Sequence, residues 1–241
     1  MNELKIYKGK NDLLNALAET ICNSSIEAIQ ARGQFNLVLS GGSSPKSLYE
    51  LLASEKFKNK IDWNKTYFFF GDERFVPEKD SQRNSVMVEK ALFEPLNIKE
   101  SNIFKVDTTV SPKDSAEKYA ESIAKHFKNQ VVEFDFILLG LGDNAHTASL
   151  FPNTSVLQET EATIKSEFIE EVNMNRITMT APLINQARQI AFLVFGKDKA
   201  TAVYHILKDK SGDFEQYPAR LIEQDEKKIL WFLDTDSASQ L

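Results

Sequence analysis

Five short apolar runs, "FNLVLS" (35–40), "TYFFF" (66–70), "FDFILL" (134–139), "QIAFLVFG" (189–196) and "KILWFLD" (228–234), are separated by longer segments of helical character. A run of four to eight apolar residues with no polar alternation is the signature of a strand buried on both faces. Alternating such strands with helices restricts the chain to an α/β fold with a mostly parallel central sheet covered by helices on both faces. No Gly/Ser/Pro linker or internal repeat interrupts the pattern, so residues 1–241 are expected to form a single domain.

The helices are read from periodicity and caps. "NDLLNALAETICNSSIEAIQARG" (11–33) places Leu13, Leu14, Leu17, Ile21, Ile26 and Ile29 near one face, starts at the cap-competent Asn11 and stops at Gly33. Pro45 suits the first turn of "PKSLYELLAS" (45–54), and "RNSVMVEKALF" (83–93) has a helical pattern. Ser111 caps a helix with Pro112 in its first position, and "KATAVYHILK" (199–208) is the last helix.

A hydrophobic content of 42% with 17 Phe supplies a core, and a net charge of −6 argues against a general nucleic-acid or anionic-membrane surface. An anionic ligand therefore requires a local cluster of cations. The first ten residues lack an apolar signal region, and no apolar run approaches the roughly 18 residues of a membrane span. Cys22 is the only cysteine, so neither an intrachain disulfide nor a cysteine-based zinc site is available. The expectation is a cytoplasmic chain acting as a monomer or weak homodimer.

In a sheet of this kind, ligands bind outside the carboxyl ends of the strands. Four strand ends carry unusual loops: Ser40-Gly41-Gly42-Ser43-Ser44, Gly71-Asp72-Glu73-Arg74, Gly140 to His146, and Gly196-Lys197-Asp198-Lys199. The first offers backbone N–H groups, hydroxyls and a helix N-terminus to a phosphate, without the Gly-Lys-Ser/Thr of a Walker loop. Its alternative reading is a glycine turn in which serine caps the next helix. Arg74 and Lys199 supply charge at converging strand ends, and Arg176 joins them if "RITMT" (176–180) packs alongside. Glu73 is read as part of a surface turn, while Asp72 suits orienting a sugar hydroxyl or a histidine.

Gly140, Gly142 and Ala145 also match a dinucleotide pattern, but mid-chain and with Pro152 where a long helix should run. His126 and His205 sit on helix patterns. His146, at the glycine-rich strand end, suits a base that takes a proton from water, titrating within about a unit of the usual 6.5. No His/Asp/Glu spacing suggests a metal site, and no cofactor is expected.

"LSGGSSP", "GDERFVP" with Asn84, "GLGDNAHTASLFP", "RITMT", "FGKDKA" and the closing "PARLI…WFLD" together resemble the 6-phosphogluconolactonases, relatives of the glucosamine-6-phosphate isomerases/deaminases, over nearly the whole chain. The resemblance implies a modified Rossmann-like fold shared with sugar-phosphate isomerases and CoA transferases. It also implies metal-free hydrolysis of 6-phospho-D-glucono-1,5-lactone to 6-phosphogluconate in the oxidative pentose phosphate pathway. Within it, His146 takes the role of the base. Ser40, Gly41, Gly42, Ser43, Arg74, Arg176 and Lys199 correspond to phosphate and sugar ligands. The family's usual Asp-Gly before the histidine is here Asn144-Ala145, which leaves the imidazole to the Asn amide, backbone or Asp143 and restricts the loop if position 145 needs a positive φ. Two other readings stay open. A deaminase would need a proton-transferring glutamate where Phe151 stands, and a non-catalytic sugar-phosphate binder would retain only the phosphate loop.

Overall fold

The computed structural model describes residues 2–209, 211–223 and 229–241. Its main sheet contains β1 (Asn2–Tyr7), β2 (Phe35–Leu39), β3 (Thr66–Phe70), β5 (Phe136–Leu139), β8 (Ile190–Val194) and β9 (Ile229–Asp234) in the order β1-β9-β8-β5-β2-β3. Every pairing is parallel, with Leu37 beside Phe136 and Ile137 beside Ile190 at the centre. Four of these strands match the expected runs directly. In the fifth, Lys228 lies outside the described residues, and β1 was not foreseen, its alternation being split between Leu4, Ile6 and charged neighbours.

Alternate side chains of the strands feed two cores. Leu37, Leu39, Phe68 and Phe70 face α1 (Lys10–Arg32), α2 (Ser43–Leu52) and the helical segment formed by α3 (Asn84–Val88), a π-turn (Glu89–Phe93) and α4 (Glu94–Leu96). Val38, Phe69, Ile137 and Phe192 face α5 (Pro112–His126) and α7 (Ala200–Leu207). Helices therefore cover both faces, as the buried runs require.

The caps explain where the helices begin and end. Gly33 takes φ 79° to close α1, and Ser111 Oγ accepts from the Asp114 N–H with Pro112 in the first turn of α5. Two expectations are corrected in α1. Its cap is Gly9 rather than Asn11, and Ile26 is exposed while Ser25 and Ala28 turn inward, Ser25 Oγ donating to the Cys22 carbonyl at 2.7 Å. At 3.6 residues per turn Ile26 falls on the side of the helix opposite Leu17, whereas Ser25 and Ala28 continue the stripe set by Leu13, Leu17 and Ile21.

A second sheet was not legible as such: β4 (Asp72–Arg74), β7 (Met174–Met179) and β6 (Ile164–Ile169) pair antiparallel in that order. Gly71 links it to the main sheet, its N–H donating to the Leu39 carbonyl and its carbonyl accepting from Met179 N–H. A short helix, α6 (Ala181–Asn185), follows β7, capped by Thr180.

Candidate active site

The connections from β2 and β5 leave in opposite directions, β2 toward β3 and β5 toward β8, so a crevice opens between their adjacent carboxyl ends. A cavity of about 340 Å³ sits there, lined by Ser40, Gly41, Gly42, Asp72, Arg74, Gly140, Gly142, His146, Arg176 and Lys199 together with Asn84, Thr147, Phe151 and Glu171. All four loops singled out in the sequence reach it. Ser43 and Asn144 do not line it. Ser43 is the exposed first residue of α2, and Asn144 stands behind His146.

The loop after β2 is held from below. Tyr49 Oη accepts from the Ser40 N–H at 2.9 Å and donates to the Ser40 carbonyl at 2.8 Å. Gly42, at φ 106°, is the N-cap of α2 and offers no side-chain cap, so the serine-cap reading of this loop is not what the fold uses. The uncapped end of α2 presents N–H groups, the arrangement that favours an anion. A Cβ on Gly41 would overlap the Asn84 carboxamide, so only glycine lets that side chain pass.

Arg74 and Arg176 are paired across β4 and β7. Arg74 Nη1 donates to the Gln82 carbonyl, and Arg176 Nη1 lies 4.0 Å from Asp72 Oδ2. The Nε of each is buried without a hydrogen-bond partner. Two adjacent guanidinium groups with unspent donors, in a chain of net negative charge, form the localized cationic site an anion needs. Lys199, in the turn Lys197–Lys199 after β8, adds a third cation.

Asp72 is buried, accepting from Ser149 Oγ at 2.6 Å and from Asn84 Nδ2 at 3.2 Å. It acts on His146 through its field rather than by steering the ring. Glu73 overturns its surface-turn reading: it is fully buried, accepts from the N–H groups of Arg74, Asn84 and Ser85, and lies 3.6 Å from Arg83 Nε. Its role is to tie β4 to α3.

His146 is held on three sides. Its ring stacks on Phe151 at 4.0 Å between centroids, and a Cβ on Gly142 would fall within the ring. The third contact is Nδ1 to Asn144 Oδ1 at 2.6 Å. Asn144 Nδ2 donates to Glu171 Oε2 at 2.9 Å, which leaves the amide oxygen for the histidine. An amide oxygen only accepts, so Nδ1 carries the proton and Nε2 keeps its lone pair. Burial pushes the imidazole down to about 4; Asp72 opposes this, Lys199 and Arg176 reinforce it, and Asp143 opposes it. The expected titration near 6.5 is thus corrected: the ring is neutral well into the acid range.

Ala145 adopts φ 61° and Ala148 φ 47°, so position 145 does require the left-handed conformation that the usual glycine would take. The loop nevertheless closes, with Gly142 N–H on the His146 carbonyl at 2.8 Å and Ala145 N–H on the Gly142 carbonyl at 3.1 Å. No helix follows these glycines, which disposes of the dinucleotide reading. His126 packs among Phe69, Phe104 and Phe127, and His205 bonds Asp209, both away from the cavity.

A larger cavity, about 700 Å³, lies beside α3; of the cations lining it, Arg83 is engaged by Ser85, Thr108 and the Val106 carbonyl, and Lys105 by Glu89 and Glu100. Among the described residues no group of three or more His, Cys, Asp or Glu side chains is gathered as metal ligands, and no helix is long and apolar enough to cross a membrane. Glu171 and Ser149 had no sequence signal, because each meets its partner only through tertiary packing.

A sequence model of the family described as glucosamine-6-phosphate isomerases/6-phosphogluconolactonase matches residues 8–231. A 6-phosphogluconolactonase of Synechocystis sp. is 36% identical over 246 residues, spanning 99% of this chain and 98% of its own length. That of Nostoc sp. is 38% identical over 221 residues, spanning 89% of this chain and 88% of its own. The structure of 6-phosphogluconolactonase from Trypanosoma cruzi superposes with a TM-score of 0.88 at 27% identity, covering 100% of this chain and 97% of the other. With the parallel sheet, the strand-end crevice and these relatives in agreement, the chain belongs to the glucosamine-6-phosphate isomerase/6-phosphogluconolactonase family.

Proposed function

We propose that the chain hydrolyses 6-phospho-D-glucono-1,5-lactone to 6-phosphogluconate, the lactone-opening step of the oxidative pentose phosphate pathway, with His146 as general base. Its named relatives are 6-phosphogluconolactonases, which supports the reaction. The observation that carries the residue assignment is the 2.6 Å contact from His146 Nδ1 to the Asn144 oxygen, since it leaves Nε2 free to accept a proton in a cavity lined by cations.

The substrate's phosphate is a dianion, and Arg74, Arg176, Lys199 and the N-terminus of α2 are the groups that bind it. A water oxygen attacks the lactone carbonyl carbon while His146 Nε2 takes its proton. The tetrahedral alkoxide then collapses, the bond from C1 to the ring oxygen breaks, and the imidazolium returns the proton to that oxygen. The product acid ionises and His146 is neutral again. A base held near 4 is fully available at neutral pH, and the bound dianion offsets the cations that depress it, which raises its proton affinity when substrate is present.

Phe151 separates this reading from amino-sugar-phosphate deamination. It lies flat on the imidazole and has no proton to transfer. The test is to assay the purified chain on both substrates. Acceleration of lactone opening above its spontaneous rate, with no ammonia from glucosamine 6-phosphate, is expected. Ammonia release would assign the deaminase reaction, and binding of 6-phosphogluconate without acceleration would make the chain a non-catalytic binder.

A further inference from the structure

Behind Asn144 stands a carboxylate that the reaction itself does not use. Glu171 lies in the turn Glu170–Val172 between β6 and β7, and its Oε2 accepts from Asn144 Nδ2 at 2.9 Å. We propose that Glu171 is a positioning residue that fixes the tautomer of His146 by orienting the Asn144 amide. The inference rests on the reading of His146 as the base.

A carboxylate at position 144 would accept from Nδ1–H whichever oxygen faced the ring, but an amide has two unlike ends. With Asn144 flipped, Nδ2 would face His146 Nδ1, which would have to accept. The ring proton would then sit on Nε2, where it blocks proton transfer from water. Two groups select the productive end. The His146 backbone N–H reaches Asn144 Oδ1 at 3.2 Å, and Glu171, which can only accept, takes Nδ2 at the shorter 2.9 Å with a full charge behind it. Flipping the amide would forfeit both bonds and set two oxygens face to face. Because Glu171 is exposed, water and salt moderate the preference.

The same geometry predicts that Asn144→Asp alone is a poor repair, since it places two carboxylates against each other. Exchanging the pair, Asn144→Asp with Glu171→Gln, conserves charge and keeps both contacts. The amide introduced at 171 then donates to the carboxylate introduced at 144, which in turn accepts from Nδ1–H.

The experiment combines ¹⁵N NMR of the His146 ring with steady-state kinetics. Wild type should show Nδ1 protonated and Nε2 bare. Glu171→Gln, which satisfies either amide orientation, should populate the Nε2–H form and lower kcat about tenfold, on the scale of one charge-assisted hydrogen bond, without raising KM. The double substitution should restore the Nδ1–H tautomer and most of kcat. Its imidazole should also titrate at higher pH, because a carboxylate then touches a ring otherwise facing the unchanged Asp72, Arg176, Lys199 and Asp143. A wild-type tautomer in Glu171→Gln, or a double variant no better than the single, overturns the proposal. A changed tautomer with unchanged kcat upholds the positioning and instead refutes His146 as the base.

Discussion

Gly142 and Ala145 meet opposite demands within one loop. A Cβ at 142 would occupy the space of the His146 ring, so Gly142→Ala must displace the imidazole. We expect kcat to fall about 10²-fold, the scale of an ångström-sized misplacement, with a stability loss of about 1–3 kcal/mol from overpacking. Unaltered kcat in that variant would show that the ring position is not fixed as described. Ala145, at φ 61°, bears a left-handed strain of about 1–2 kcal/mol, against which burial of its methyl returns roughly 0.8 kcal/mol. The two terms leave a net cost of about 1 kcal/mol at most, small beside the stability of a folded domain. At this scale the sequence was informative wherever a residue type was itself unusual: paired glycines, a histidine at a strand end, an arginine after "GDE". Glu171 was invisible because its meaning depends on Asn144, 27 positions away.

The small antiparallel sheet is what turns these residues into a site, since it sets Arg74 opposite Arg176. Three strand residues, Asp72–Arg74, are too few to show alternation, and three successive charged side chains read as a solvated turn. Glu73 instead serves as a buried anchor. It accepts from three backbone N–H groups and stands beside Arg83, of which only 2% is exposed. Glu73→Ala would strand that cation and those donors, and a loss of about 3–5 kcal/mol in urea unfolding is expected. A loss below about 1 kcal/mol would mean that β4 and α3 are held together by other contacts. The main strands and long helices, by contrast, were legible because their apolar runs and caps extend over enough residues to repeat.

For the molecule as a whole, the buried histidines make stability depend on pH in a defined direction. Burial lowers both His146, to about 4, and His126, so between 6.5 and 4 the unfolded chain binds more protons than the folded one. Their stabilising contribution is fully present above 6.5 and is lost as pH falls through the folded values. For His146 the loss amounts to about 3 kcal/mol by pH 4. His146→Gln should flatten that acid dependence in denaturant titrations, and an unchanged slope would contradict the burial argument. The alternation of strands and helices along the chain could be read from the sequence, whereas the strand order that opens the crevice and the second sheet, assembled from segments about 100 residues apart, could not. The central claim joins that crevice to one chemical step, and the most direct measurement is lactone turnover by His146→Gln beside wild type, corrected for spontaneous opening. The account predicts a kcat lower by roughly 10²–10⁴-fold with 6-phosphogluconate affinity nearly intact, because the phosphate is held by other loops. A folded His146→Gln protein with wild-type kcat would contradict it.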